Sequence, residues 1–132
     1  MPHSEDSPPE FITIRTPGVA PSAFDVYQGT LALVEHVHAV IEAASVRFHL
    51  KDRLDRYTTQ IAMRLARAQS DARPNRWRHY RAIVEHLTDV ATMLDIIHRQ
   101  KVTTAVDDLE RARTVARQLI AELVIHAQLG HA

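Results

Sequence analysis

The sequence predicts an all-α fold: an antiparallel up-down-up-down four-helix bundle with an extended N-terminal arm. Three observations carry this. Apolar residues recur at alternating spacings of three and four through four separate stretches, the period of one helical face. Only three glycines are present among 132 residues, which leaves little material for tight hairpins or phosphate-cradling loops. The breaks between the stretches are short, and short connections make consecutive helices run antiparallel. The length suits one domain with one core.

Residues 1–22 hold five of the six prolines and almost no helical periodicity, so they read as a flexible or extended arm. Phe11-Ile12-Thr13-Ile14 is a short β-prone run between Pro9 and Pro17. Two readings are open for it: a loosely ordered tail, or an arm that packs on its own bundle or a neighbouring subunit. The bundle itself is expected over 23–129. Its first helix starts near Ser22, a good N-cap. Phe24, Tyr27, Leu31, Val34, His38 and Ile41 mark one face, with Leu33, Val37, Val40 and Ala44 in an adjoining row. The second helix carries Leu50, Leu54, Tyr57, Ile61 and Leu65 on one side. Asp71 to Asn75 breaks the pattern, because Pro74 lacks an amide donor and biases Arg73 away from helix, and Asn75 is placed to cap the next helix.

The third helix shows Trp77, Tyr80, Ile83 or Val84, Leu87, Val90 or Ala91, Leu94 and Ile97. After Lys101 to Thr104, a capping box of Thr104 with Asp107 opens the fourth helix, and Asp107, Asp108 and Glu110 suit its positive end. That helix carries Ala105, Leu109, Ala112, Ala116, Leu119, Leu123 and Ala127, widened by Val106, Val115, Ile120 and Val124, and Gly130 ends it.

The chain contains no cysteine, which removes disulfide scaffolds, thiolate metal sites and cysteine nucleophiles together. The N-terminus lacks a basic start and an apolar core, so it does not read as a signal peptide. No run of eighteen apolar residues occurs, and a cytoplasmic protein without a membrane span is expected. Nine histidines invite a metal site, yet none lies three or four residues from another, the spacing that puts two ligands on one helical face. Glu35 with His38 and Asp95 with His98 offer one carboxylate–histidine step each, short of the paired Glu-x-x-His of di-iron bundles. His38 on the apolar seam reads more simply as a core histidine. No cofactor, no metal and no catalytic constellation is expected.

Charge patterning is more informative. Formal net charge is zero, but ten Lys or Arg between Arg47 and Arg81 face only Asp52, Asp55 and Asp71, so this segment carries +7 and the remainder −7. On the second helix Arg53, Arg56, Gln60, Arg64 and Arg67 form one polar row about 100° round from the apolar one. Arg76, Trp77, Arg78, Tyr80 and Arg81 then interleave basic and aromatic residues. Guanidinium forks suit phosphates, and aromatics stack on bases. The same residues also read as a solvated face paired to acids elsewhere, or as a subunit contact between the basic second helix and an acidic face such as Asp107, Asp108 and Glu110.

The order of residues resembles a known family. Phe24-Asp25-Val26-Tyr27 at the opening of the first helix, Phe48 to Arg56 leading into the second, Gln60-Ile61 and Leu65-Ala66 within it, and Tyr80 with the segment Leu87 to Leu94 in the third are similar to the four-helix bundle proteins of 23S rRNA intervening sequences. The resemblance covers residues 24 to 125. The family's Ser-Ile and Asn-Ile-Ala-Glu-Gly signature is replaced here by Gln60-Ile61 and Arg64-Leu65-Ala66-Arg67-Ala68. Relatives include the accessory variability proteins of diversity-generating retroelements, small bundles that form five-membered rings and bind nucleic acid through a basic surface. The resemblance thus implies a ring-like homo-oligomer, a pentamer. The clustered +7 adds the expectation of a non-enzymatic bundle contacting RNA or a nucleoprotein through Arg53, Arg56, Arg64, Arg67, Arg76, Trp77, Arg78 and Arg81. The alternative is a structural or protein-interaction module whose arginines serve intersubunit contacts without nucleic acid.

Overall fold

The computed structural model describes residues 23–45, 49–72 and 75–131. They form four helices: α1 (Ala23–Glu42), α2 (Lys51–Ser70), α3 (Arg76–Gln100) and α4 (Val106–His131). The N-terminal arm, the Ser22 cap and the Arg73-Pro74 step fall outside the described residues.

The helices stand at the corners of a square. Helix α1 packs on α2 and α4, and α3 packs on the same two, while the diagonal pairs meet least. Two connections lie at one end and hold each other. Ser45 N–H donates to Val102 O at 2.9 Å, and Thr104 N–H donates to Ala43 O at 3.3 Å, around an isolated antiparallel bridge between Ala44 and Thr103. The α2–α3 turn occupies the opposite end, so the bundle runs up-down-up-down.

One core joins all four helices. Its largest fully buried side chains include Leu33, Leu54, Ile61, Leu87, Leu94 and Leu119. At about 25 cal/mol per Å² of apolar surface removed from water, each such leucine contributes roughly 2 kcal/mol. The two buried threonines within helices are satisfied there: Thr30 Oγ1 donates to Val26 O at 2.9 Å and Thr58 Oγ1 to Leu54 O at 3.0 Å, the i−4 carbonyl bond that a helix offers a hydroxyl.

Several expectations change. In α1 the adjoining row is the core: Val26, Leu33, Val37 and Val40 are buried, while Tyr27, Leu31, Val34 and Ile41 are half-buried. Both rows are apolar at helical spacing, so periodicity alone does not rank them. His38 is not a core histidine. It is exposed and lies 3.9 Å from Glu42, on the flank about 100° round from Val37. Val106 is 57% exposed and does not widen the α4 stripe. The Thr104–Asp107 capping box is replaced by Thr103, whose hydroxyl donates to Val40 O at 2.9 Å and accepts Ala105 N–H at 3.2 Å. Asn75 occupies the cap position of α3 without a side-chain cap bond. Helix α4 runs one residue past Gly130.

Candidate nucleic-acid interface

Helix α2 presents its arginines because its core row takes the other side. Leu54, Thr58, Ile61, Leu65 and Ala68 are buried, and Arg53, Arg56, Gln60, Arg64 and Arg67, roughly 100–120° away, are all exposed. This row borders two open grooves between α2 and α3. The one nearer the α2–α3 turn, about 440 Å³, is lined by Gln60, Ile61, Met63, Arg64 and Arg67 of α2 with Ile83 and His86 of α3. The other, about 280 Å³, lies towards the far end, where Arg53 and Tyr57 face Asp89 and Met93.

The two grooves differ electrostatically. Asp89 lines the upper one, at the far end, and Asp52 and Asp55 flank Arg53 in sequence. No carboxylate lines the lower one, beside the turn, and α2 carries no acid after Asp55. Asp71, the next acid, is already engaged. Its Oδ2 lies 2.9 Å from His79 Nε2 and its Oδ1 accepts Ala72 N–H at 2.8 Å. The His79 bond, then the Ala72 amide, hold its carboxyl below the usual carboxylate range. Among the described residues Arg53, Arg56, Arg64, Arg67, Arg78 and Arg81 form no ion pair with a carboxylate.

The eight residues singled out in the sequence therefore separate into three groups. The first is the α2 row of Arg53, Arg56, Arg64 and Arg67. Arg76 belongs to the turn: its Nε donates to Asp71 O and its Nη2 to Gln69 O, each at 3.3 Å. It satisfies carbonyls at the C-terminal end of α2, where four would otherwise lack partners. Trp77, Arg78 and Arg81 form the third group, with the two guanidinium carbons 5.6 and 5.5 Å from the indole centroid, within cation–π range. Trp77 and the groove-lining His86 lie about 180° apart round α3. The indole is thus part of a separate arginine-covered cluster, not a stacking platform inside the groove.

Of the acids considered as partners for this row, Asp108 and Glu110 have other partners. Asp95 receives Arg113 Nε at 3.0 Å and Arg117 Nη2 at 3.1 Å, and Glu110 receives Arg113 Nη1 at 3.0 Å. His98 Nδ1 lies 3.3 Å from Glu110, and His36 Nδ1 lies 2.9 Å from Asp108 across the α1–α4 seam. Burial alone would lower the charge affinity of the Arg113 guanidinium, but bonds to Asp95 and Glu110 raise it above the ordinary value. The carboxylate–histidine steps considered for metal point elsewhere: His38 to Glu42, Asp95 to arginines, His98 to Glu110. Among the described residues no three His, Asp or Glu side chains are grouped to hold a metal ion. No helix there is long and apolar enough to cross a membrane.

Met63, 55% exposed, and His86 line the groove without having been expected there from the sequence. Met63 shows a weak signal, an apolar residue set beside the arginine row. His86 shows none, because its place depends on how α3 packs on α2. No family model, curated protein or solved structure matches the chain.

Proposed function

We propose that the protein is a non-enzymatic, cytoplasmic, homo-oligomeric four-helix bundle that contacts RNA, or a nucleoprotein, through Arg53, Arg56, Arg64 and Arg67 of α2, with Arg78 and Arg81 extending the basic surface onto α3. The observation that carries this reading is the exposure of these guanidiniums together with the lack, among the described residues, of carboxylates ion-paired to them. Like charges on adjacent helical turns repel, and a polyanion relieves that repulsion while releasing counterions. The resemblance to the rRNA intervening-sequence proteins adds the expectation of a ring-like, pentameric assembly.

A competing reading is self-contact. Glu35 and Glu42 on α1 and Asp107 on α4 are exposed, and a basic α2 surface on one copy meeting an acidic surface on the next gives a head-to-tail contact that closes into a ring. Filter binding to structured RNA at two salt concentrations tests the first reading: affinity at low salt that falls steeply with salt supports it, and no affinity at low salt sinks it. Sizing of Arg64→Ala and Arg67→Ala discriminates the second, which expects those variants to lose assembly.

A further inference from the structure

We infer that the lower α2–α3 groove is a phosphodiester seat, in which Arg64 and Arg67 hold the anion and protonated His86 closes on it from the opposite helix. The inference rests on the RNA reading for the source of its ligand, but on the groove itself for its position and its pH dependence.

The His86 ring is held from two sides. Its Nδ1 lies 3.1 Å from Ala82 O, and a carbonyl only accepts, so Nδ1 carries the proton. Its plane meets the Tyr57 ring edge-on, with centroids 5.1 Å apart and an interplanar angle of 81°. With Nδ1 committed, the neutral ring presents a lone pair at Nε2, which repels a phosphate oxygen. Protonation turns Nε2 into a charged donor. The seat thus holds two permanent cations, and a third whenever the His86 ring is protonated.

The surroundings favour an anion, and no carboxylate in the lining competes for the cations. From α2 the groups facing His86 are Arg64, Arg67, the neutral Gln60 amide and the Tyr57 phenol; from α3 the remaining lining residue is Ile83. The nearest acids along α3 are Glu85, exposed, and Asp89, which lines the other groove with Arg53. Arg64 and Arg67 sit one turn apart on one face, a spacing that lets both forks reach oxygens of one phosphate. Exposed Met63 on the same rim, with the apolar floor of Ile61 and Ile83, offers a polarizable surface to the sugar beside that phosphate. Free phosphate has no group to place there.

Binding of an RNA hairpin to the 132-residue chain at pH 5.5 and pH 8 provides the test, because a phosphodiester keeps its charge across that interval. The wild type is expected to bind roughly three- to tenfold more tightly at the lower pH, the scale of one added charge-assisted hydrogen bond in a screened groove. His86→Gln is expected to remove that gain and keep the pH 8 affinity. A pH gain that survives His86→Gln, or binding weakened by Arg53→Ala and Arg56→Ala but not by Arg64→Ala and Arg67→Ala, overturns the seat and leaves the RNA reading intact. Titration with inorganic sulfate, followed by the Nε–Hε NMR signals of Arg64 and Arg67, tests the seat without RNA. Saturable movement that is larger at pH 5.5 and reduced in His86→Gln supports it even where the hairpin fails to bind, an outcome that overturns only the RNA reading. No movement at either pH contradicts the seat.

Discussion

Two seams of this bundle use arginine in opposite ways. Between α3 and α4, Arg113 and Arg117 converge on Asp95 while Glu110 receives Arg113 and His98. Arg113 is only 18% exposed. Between α2 and α3, Arg64 and Arg67 stand in an open groove with no carboxylate in its lining. The residue type is the same, but the supply of acids is not. In the α3–α4 seam each charge has an internal counter-charge, so the arginines orient two helices. In the α2–α3 seam Leu54, Ile61 and Leu65 already bury the contact, so the arginines add nothing to packing and remain available. Net charge is blind to this, because the same zero sum includes both seams.

The contrast breaks most completely when the shared core fails. Leu94→Ala, at a position fully buried between both seams, is expected to destabilise by about 2–5 kcal/mol in urea unfolding, and to weaken both seams together. A change under about 1 kcal/mol would mean that the core is looser than its burial suggests. Asp95→Ala acts on the α3–α4 seam alone. It leaves Arg113 and Arg117 without their shared acceptor and is expected to lower stability by about 1 kcal/mol, with RNA affinity at pH 8 retained. Arg64→Ala with Arg67→Ala is the mirror experiment: stability stays within about 0.5 kcal/mol, because neither side chain has an ion-pair partner among the described residues, and RNA affinity falls.

Two smaller effects test the ends of the bundle. Lys101 closes α3 in the left-handed region at φ 55°, ψ 45°, donating its N–H to Ile97 O. A side chain at such a position is strained by roughly 1 kcal/mol relative to glycine, so Lys101→Gly is expected to raise the unfolding midpoint slightly. At the other end Asp71 has a depressed carboxyl. Its contribution to stability is therefore present above the ordinary value of 3.8 and is lost as pH falls through the lower folded-state value. Asp71→Asn is expected to lower the neutral-pH Tm slightly and to flatten its decline below pH 3.8, measured by thermal melts from neutral pH into strong acid.

Much of the fold was legible, and the failures have physical causes. The stripes of α2, α3 and α4 identified the buried residues well, with Ile83 and Val90 buried in preference to Val84 and Ala91. In α1 two apolar rows of equal period lay side by side, and only the position of α4 decides between them. The break at Lys101 carries no glycine or asparagine to announce a left-handed residue, and Thr103 rather than Thr104 became the linchpin because its partner, Val40, is 63 residues away. The arginine row on α2 was readable because a row within one helix is a matter of spacing. Its continuation to Trp77 was not, since Asn75 to Arg81 form the cap and first turns of a new helix, sending Arg76 to backbone carbonyls and Trp77 to the far side of α3. The internal use of Asp95, Asp108 and Glu110 depends on contacts between helices, which spacing cannot show.

The proposal sets the α2 arginines against an outside phosphate, while Arg113 and Arg117 of α4 pair with Asp95 and Glu110. The salt dependence of RNA binding tests it most directly, by comparing the slope of log affinity against log salt for the wild type and the Arg64→Ala/Arg67→Ala variant. Each lost phosphate contact reduces that slope by about 0.7–0.9, so a fall of about 1.5 is predicted, with assembly size and unfolding midpoint unchanged. An unchanged slope, or a variant that loses assembly before it loses RNA, would contradict the account.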